Sequence, residues 1–289
     1  MQRNATTRYP ILLVHGLFGF ERIGQVELFQ EAKDALKAAN NRVFVPHLSA
    51  NRDNEARGEQ LLAQIDRVLQ GTGARRVNLI GHSQGALAAR YAAASAPHAV
   101  ASVTSVSGPN HGSELADVLR KALTPDHLPE QVAQHVATLF ADWLSLLSNS
   151  LSMPQHAVAA LGALTTESVG DFNDKYPQGL PQTWGGQGPA QENDVHYYSW
   201  SGIVSPNNPL AHDPAHRICQ EMASYFTTEA QQSDGFVGRF SSHLGQVIRS
   251  DYPLDHLGSL RRSPFSKALE HDPIQLYVEH ALRLQAAGL

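Results

Sequence analysis

Ser83 stands at the centre of Gly81-His82-Ser83-Gln84-Gly85, where small residues flank a hydroxyl. A serine becomes a nucleophile when a base takes its proton and when its turn leaves the hydroxyl exposed. In a G-x-S-x-G turn the glycines tolerate the strained angles needed where a strand reverses into a helix. The helix that follows presents backbone amides and a positive dipole end to a developing oxyanion. Attack on an acyl carbonyl is the chemistry that suits this arrangement. The plainer alternative is a glycine-rich turn with an incidental serine.

Acyl transfer needs two oxyanion donors, one from the residue after the nucleophile and one from the loop after an early strand. Gln84 fills the first position, and Leu17 in His15-Gly16-Leu17 fills the second. Both roles use backbone N–H groups, so side-chain identity matters little. His15 precedes the serine and is expected to hold its loop rather than to act as base.

The order nucleophile, acid, base places the partners after Ser83. The aspartates there include Asp171, Asp174, Asp194, Asp213, Asp234, Asp251 and Asp255; the histidines are His243, His256, His271 and His280. Catalytic groups belong on loops at strand ends. That favours Asp234 in Ser233-Asp234-Gly235 and His256 in Leu254-Asp255-His256-Leu257-Gly258. His280 falls in a terminal helix and His271 at its approach, so both are expected to be structural. On residue type alone His243 still competes with His256.

These residues must be positioned by regular elements, and the first half of the chain alternates between two periods. Ile11 to Val14 predicts a buried strand, Leu28 to Ala39 a helix, and Val43-Phe44-Val45 a strand closed by Pro46. Asn54 is expected to cap a helix whose apolar stripe is Leu61, Leu62, Ile65, Val68 and Leu69 and which Gly71 ends. Val77 to Ile80 predicts the strand before Ser83, Ala86 to Ala96 the helix after it, and Val100 to Val106 another strand. The β-α-β-α order implies an α/β fold with a mostly parallel sheet and helices on both faces. Residues 113–166 break the rhythm with helical patterns, including Val132, Val136, Leu139 and Phe140, and no convincing strand. They read as a helical insertion in a single domain spanning residues 1–289. Val195 to Ile203 returns to strand character, and Ile274 to Leu284 predicts a terminal helix.

Composition narrows the partners. The 289 residues are 42% hydrophobic and 17% charged, with a formal net charge of -5. That balance offers nucleic acid no basic footprint. Cys219 is the single cysteine, so no intrachain disulfide forms, and a buried inert thiol is expected. The polar N-terminus lacks the apolar core of a signal peptide, and no apolar run approaches the ~18 residues of a membrane span.

The chain resembles the Pseudomonas-type true bacterial lipases (triacylglycerol hydrolases of the α/β-hydrolase superfamily), especially their disulfide-free members. The resemblance runs nearly end to end. It rests on Tyr9-Pro10-Ile11, His15-Gly16-Leu17-Phe18-Gly19-Phe20, Arg57-Gly58-Glu59-Gln60-Leu61-Leu62 and Val77-Asn78-Leu79-Ile80-Gly81-His82-Ser83. It continues in Tyr176-Pro177-Gln178-Gly179, Tyr197-Tyr198-Ser199-Trp200-Ser201-Gly202, Asp234-Gly235-Phe236-Val237-Gly238 and Ser241-Ser242-His243-Leu244-Gly245. It implies Ser83, Asp234 and His256 as the triad, Leu17 and Gln84 as oxyanion donors, and a structural His243. It also implies that the insertion contains a mobile lid whose apolar underside lines the acyl site.

Three departures bear on these implications. Disulfide-bonded relatives carry cysteines where this chain has Trp184 and Phe240, so an aromatic contact is one expected replacement and a surface Trp184 the other. The family's structural Ca²⁺ lies between an aspartate that falls on Asp213 and a second, two positions after the base, that falls on Gly258. Calcium affinity follows the charge of the cage. A lost carboxylate weakens the site, Asp255 is a conceivable substitute, and calcium stays an open alternative. Secretion follows from the resemblance alone. The expected activity is hydrolysis of long-chain acylglycerol esters at an oil–water interface. The alternatives are a carboxylesterase on soluble short-chain esters and a non-catalytic lipid-binding module.

Overall fold

The computed structural model describes residues 4–16, 22–23, 26–27, 29–49, 53–124, 127–147, 161–205 and 210–289. The predicted donor Leu17 and part of the predicted lid lie outside the described residues.

Strand β1 (Ile11–Val14) shows why the chain is apolar here at successive positions. Side chains alternate across a strand. Ile11 and Leu13 join a cluster with Phe29, Leu36, Tyr277 and Ala281, while Leu12 and Val14 join another with Leu61, Ile65, Ala88 and Ala92. A strand buried on both faces cannot afford polar alternation. The helices supplying those partners are α1 (Gln30–Ala38), α2 (Asn54–Thr72), α3 (Gln84–Ser95) and, at the end of the chain, α8 (Pro273–Ala286).

The seven-stranded sheet also contains β4 (Val43–Phe44), β5 (Val77–His82), β6 (Val100–Val106), β7 (Gln191–Glu192), β8 (Val195–Gly202) and β9 (Gln246–Tyr252). Its order is β4-β1-β5-β6-β8-β7, with β9 also paired to β8, and only β7 runs antiparallel. A separate two-stranded sheet pairs β2 (Arg22–Ile23) with β3 (Val26–Glu27). In parallel sheets the loops beyond the carboxyl ends of the strands gather on one edge. Ser83 follows β5, Asp234 lies between β8 and β9, and His256 follows β9. This is the expected α/β-hydrolase architecture.

Between β6 and β7 lie α4 (Glu114–Ala122), α5 (Glu130–Leu147) and α6 (Thr166–Lys175), with no strand among the described residues of 113–166. On α5 the buried residues Val136, Leu139, Phe140, Trp143 and Leu144 form one helical stripe.

Helix α7 (Pro214–Met222) joins the same cluster through Ala215, Cys219 and Met222.

Two local expectations need correction, and one pair of alternatives is separated. Asp53, not Asn54, caps α2: its extended ψ of 170° lets its side chain accept from Ala56 N, while Asn54 is already helical and buried. The helix runs past Gly71 to Gly73, which adopts the left-handed φ of 68° and donates its N–H to Leu69 O. Trp184 is 54% exposed and packs edge-on against His111 at 5.5 Å, whereas Phe240 packs against His243. Trp184 thus fits the surface alternative.

Candidate active site

Ser83 has φ 55° and ψ −132°, a region that L-residues rarely adopt, and it N-caps α3. Such strain persists only where surroundings over-determine it. The Ser83 amide donates to Val106 O at 3.0 Å, and Ser83 O accepts from Ala86 N at 3.0 Å. Neighbouring backbone leaves no room for side chains on either flank. A Cβ at Gly81 would fall 2.5 Å from Gly85 O, and one at Gly85 would fall 2.1 Å from Val14 O. The two glycines therefore let β1, β5 and α3 converge beneath the serine.

Asp234 sits in a tight turn bridged between Ser233 and Gly238. Its Oδ1 accepts from Phe236 N at 2.9 Å and Val237 N at 2.7 Å. Its Oδ2 accepts from His256 Nδ1 at 2.9 Å. Asp234 is 0% and His256 2% exposed. Three N–H donors compensate for removing the carboxylate from water. The backbone repeats the link, since His256 N donates to Asp234 O at 3.0 Å. With Nδ1 committed to Asp234, Nε2 is the ring nitrogen that a proton transfer would use.

His82, the variable residue before Ser83, has a role that residue spacing did not reveal. Its Nε2 donates to His256 O at 3.0 Å, and the two rings lie 4.7 Å apart. Burial, followed by the neighbouring His256, pushes its pKa well below the usual histidine value. A neutral His82 can brace His256 without adding positive charge beside it.

The early loop is held from α2. Gly16 runs against Ser83, where a Cβ would lie 2.8 Å from Ser83 Cβ. The buried Arg57 donates through Nη2 to His15 O at 2.6 Å and Gly16 O at 3.0 Å, and through Nη1 to Ser49 O at 2.6 Å. His15 Nδ1 donates to Gly16 O at 3.2 Å while Nε2 accepts from Leu48 N at 3.4 Å. Burial and the Arg57 charge lower the His15 pKa to about 4, so it stays neutral and holds its loop. Gln84 Nε2 donates to Asn54 Oδ1 at 3.1 Å, and Asn54 Nδ2 donates to Ala163 O at 2.9 Å. Asn54 thus links the first turn of α3 to the end of the insertion.

An apolar cover lies over these polar groups. Trp143 of α5 stacks on Phe236 at 4.9 Å and stands 6.2 Å from the His256 ring, while Phe236 stacks on His256 at 5.1 Å. Ser83 is 5% exposed. Ser83, Asp234 and His256 are therefore all screened from water.

The other candidates are committed elsewhere. His243 Nδ1 donates to Gly186 O at 2.9 Å, His280 Nε2 lies 2.7 Å from Thr104 Oγ1, and His271 packs on Tyr252. Asp213 caps α7, with Oδ1 accepting from Ala215 N at 2.8 Å. Asp255 is saturated: Oδ2 accepts from His216 Nδ1 at 3.1 Å, and Oδ1 accepts from Leu257 N at 3.0 Å and Gly258 N at 2.9 Å. Calcium takes six to eight oxygens and several charges. Here Gly258 offers no carboxylate, its N–H donates to Asp255 Oδ1, and the remaining Asp255 oxygen is held by His216. This donor set does not fit a calcium cage.

Residues 9–255 match the family described as alpha/beta hydrolase fold. Over 294 aligned residues the chain is 58% identical to a triacylglycerol lipase of Pseudomonas fragi, with 100% of each chain covered. It is 43% identical to a triacylglycerol lipase of Vibrio cholerae, covering 98% of this chain and 89% of that one. Among solved structures, the mature form of a Bacillus licheniformis lipase shares the fold with a TM-score of 0.59. That match has 19% identity and covers 86% of this chain and 85% of that one.

Proposed function

From a chain that belongs to the triacylglycerol lipase family of α/β-hydrolase fold, and is thus a serine ester hydrolase, we propose a lipase that cleaves long-chain acylglycerol esters through Ser83, His256 and Asp234. The observation that carries this reading is the buried, hydrogen-bonded Asp234–His256 pair roofed by the apolar stripe of α5. A soluble-ester enzyme has no need of so apolar a cover. A lipase gains from it, because the stripe that hides the site in water can meet lipid when it lifts.

In the mechanism, Ser83 Oγ attacks the ester carbonyl carbon as His256 Nε2 takes its proton. The tetrahedral oxyanion is held by the amides of Gln84 and Leu17, and Asp234 stabilises the imidazolium. Collapse breaks the ester C–O bond, and His256 returns the proton to the leaving alcohol. Water then attacks the acyl-enzyme with His256 again as base, releasing the fatty acid and restoring Ser83. Secretion fits this substrate. Among the described residues no helix is long and apolar enough to cross a membrane.

The test is Ser83→Ala with a chain-length series of esters measured below and above their solubility limits. Loss of about 10⁴-fold or more in kcat, together with a wild-type rate that jumps once long-chain substrate forms an interface, supports the reading. Normal turnover by the variant would end it. Saturation on dissolved short-chain ester without any jump would make the protein a carboxylesterase. Absence of labelling of the wild type by an organophosphonate would leave only a lipid-binding role.

A further inference from the structure

The loop carrying His256 must hold its imidazole against Asp234 while Nε2 gains and loses a proton in every cycle. The resemblance implies a structural calcium with one ligand on that loop, at the position of Gly258, and the residues present do not fit one. Another link occupies the place. His216, fully buried in the first turn of α7, donates from Nδ1 to Asp255 Oδ2 at 3.1 Å. Asp255 immediately precedes the base and is 4% exposed. Its other oxygen gathers the amides of Leu257 and Gly258, and its carbonyl accepts from Ser259 N at 3.2 Å. The carboxylate thus sits at the centre of the turn formed by residues 255–259, and His216 grips that carboxylate from a helix. Asp213, at the head of the same helix, spends Oδ1 on the cap.

We propose that His216 and Asp255 are positioning residues for the catalytic base, tying its loop to α7 in place of a metal, so that this lipase works without calcium. The proposal rests on His256 being the base. Its physical content is the cost of breaking one side of a buried pair. Without His216, Asp255 keeps two amide donors but loses the only side-chain partner it has among the described residues. A buried carboxylate left uncompensated draws water or shifts to find donors. Any such shift moves residues 255–258, and with them the imidazole. Among the described residues His216 Nε2 has no partner, so its polar hold is concentrated on Asp255. Cys219, one turn further along α7, packs against Gly235 next to the acid. The same helix therefore braces both loops.

The experiment compares wild type, His216→Ala, His216→Asn and His256→Ala on a soluble ester, with thermal unfolding and kcat measured in EDTA and in millimolar calcium. Wild type is expected to show the same Tm and kcat in both buffers. His216→Ala should lose about 10- to 100-fold in kcat with KM changed little, the signature of a misplaced group rather than lost substrate binding. Rates are normalised to sites titrated by phosphonate, so unfolded protein is not counted. Asparagine offers an amide N–H near the position of Nδ1 and should recover most of the lost kcat; a purely space-filling role would show no such recovery. Wild-type kcat per site in His216→Ala overturns the proposal. So does a wild type whose Tm or kcat falls in EDTA and returns with calcium, a readout that stands even if the alanine variant does not fold. If His256→Ala keeps its turnover, the assignment of the base fails and the proposal falls with it. If His256→Ala is inactive while His216→Ala is unaffected, the positioning role alone is wrong.

Discussion

Asp234→Asn separates the electrostatic duty of the acid from its structural one, because the two carboxylate oxygens have different partners. Oδ1 accepts the amides of Phe236 and Val237, and Oδ2 accepts from His256 Nδ1. Asparagine keeps a carbonyl oxygen for the two amides and places an NH₂ where Oδ2 stood. That NH₂ cannot accept, so the imidazole turns its Nδ1 lone pair towards it and keeps its proton on Nε2. An Nε2 that already carries a proton cannot take one from Ser83, and the imidazolium loses its counter-charge. The expected loss is about 10⁴-fold in kcat, or ~5.5 kcal/mol at 1.36 kcal/mol per tenfold. Stability should change by only about 1 kcal/mol, a Tm shift of a few degrees, because both amides keep their acceptor. Asp234→Ala is the contrast, since it strands two buried amides at ~1–3 kcal/mol each. Initial rates on a soluble p-nitrophenyl ester, beside circular dichroism and thermal melts, make the comparison. A folded asparagine variant with kcat within about tenfold of wild type would refute the claim that Asp234 sets the tautomer of His256.

Three further outcomes follow from named contacts. Trp143→Ala removes the ring between Phe236 and α5; it should weaken the cover by ~3–5 kcal/mol and raise hydrolysis of dissolved short-chain ester relative to emulsion. An unchanged ratio of the two rates would count against α5 as the gate. Arg57→Met frees the carbonyls of His15 and Gly16 and should lower kcat by about 10²-fold or more through the oxyanion loop, with KM near wild type; steady-state kinetics showing the reverse split would contradict this. His280 has its pKa lowered to about 3, chiefly by burial and then by the Arg283 charge. Its unfolded form takes up a proton below about pH 6.5 and its folded form does not until about pH 3. Its contribution to stability is therefore full above pH 6.5 and is lost as pH falls towards 3. Urea midpoints of wild type should consequently drop relative to His280→Gln between pH 7 and pH 4, and a constant difference would show that His280 titrates alike in both states.

How much of this is legible in the sequence depends on whether the controlling interaction is local. The strand before Ser83 and the helix after it were readable because burial on two faces forces apolar runs and because the turn tolerates only small neighbours at Gly81 and Gly85. The α5 stripe was readable for the same reason, since helical period is a property of neighbouring residues. Boundaries were less so. Asp53 and Asn54 are both capable caps, and only the backbone angles decide which is used. The histidines were harder still. His243 and His256 lie on comparable loops, and the family resemblance, not spacing, separated them. The structure puts one on Gly186 O and the other on Asp234.

By itself, then, the sequence determined the α/β rhythm, the serine turn, the insertion and, through resemblance, the kind of enzyme. Tertiary structure decided what each polar side chain faces. His82 braces the carbonyl of His256, Asn54 links Gln84 to residue 163, Arg57 grips the loop at Gly16, and His216 holds Asp255. Each of these contacts joins segments far apart along the chain. A side chain's direction across such a gap is set by the packing of whole elements, and no window of sequence contains that information.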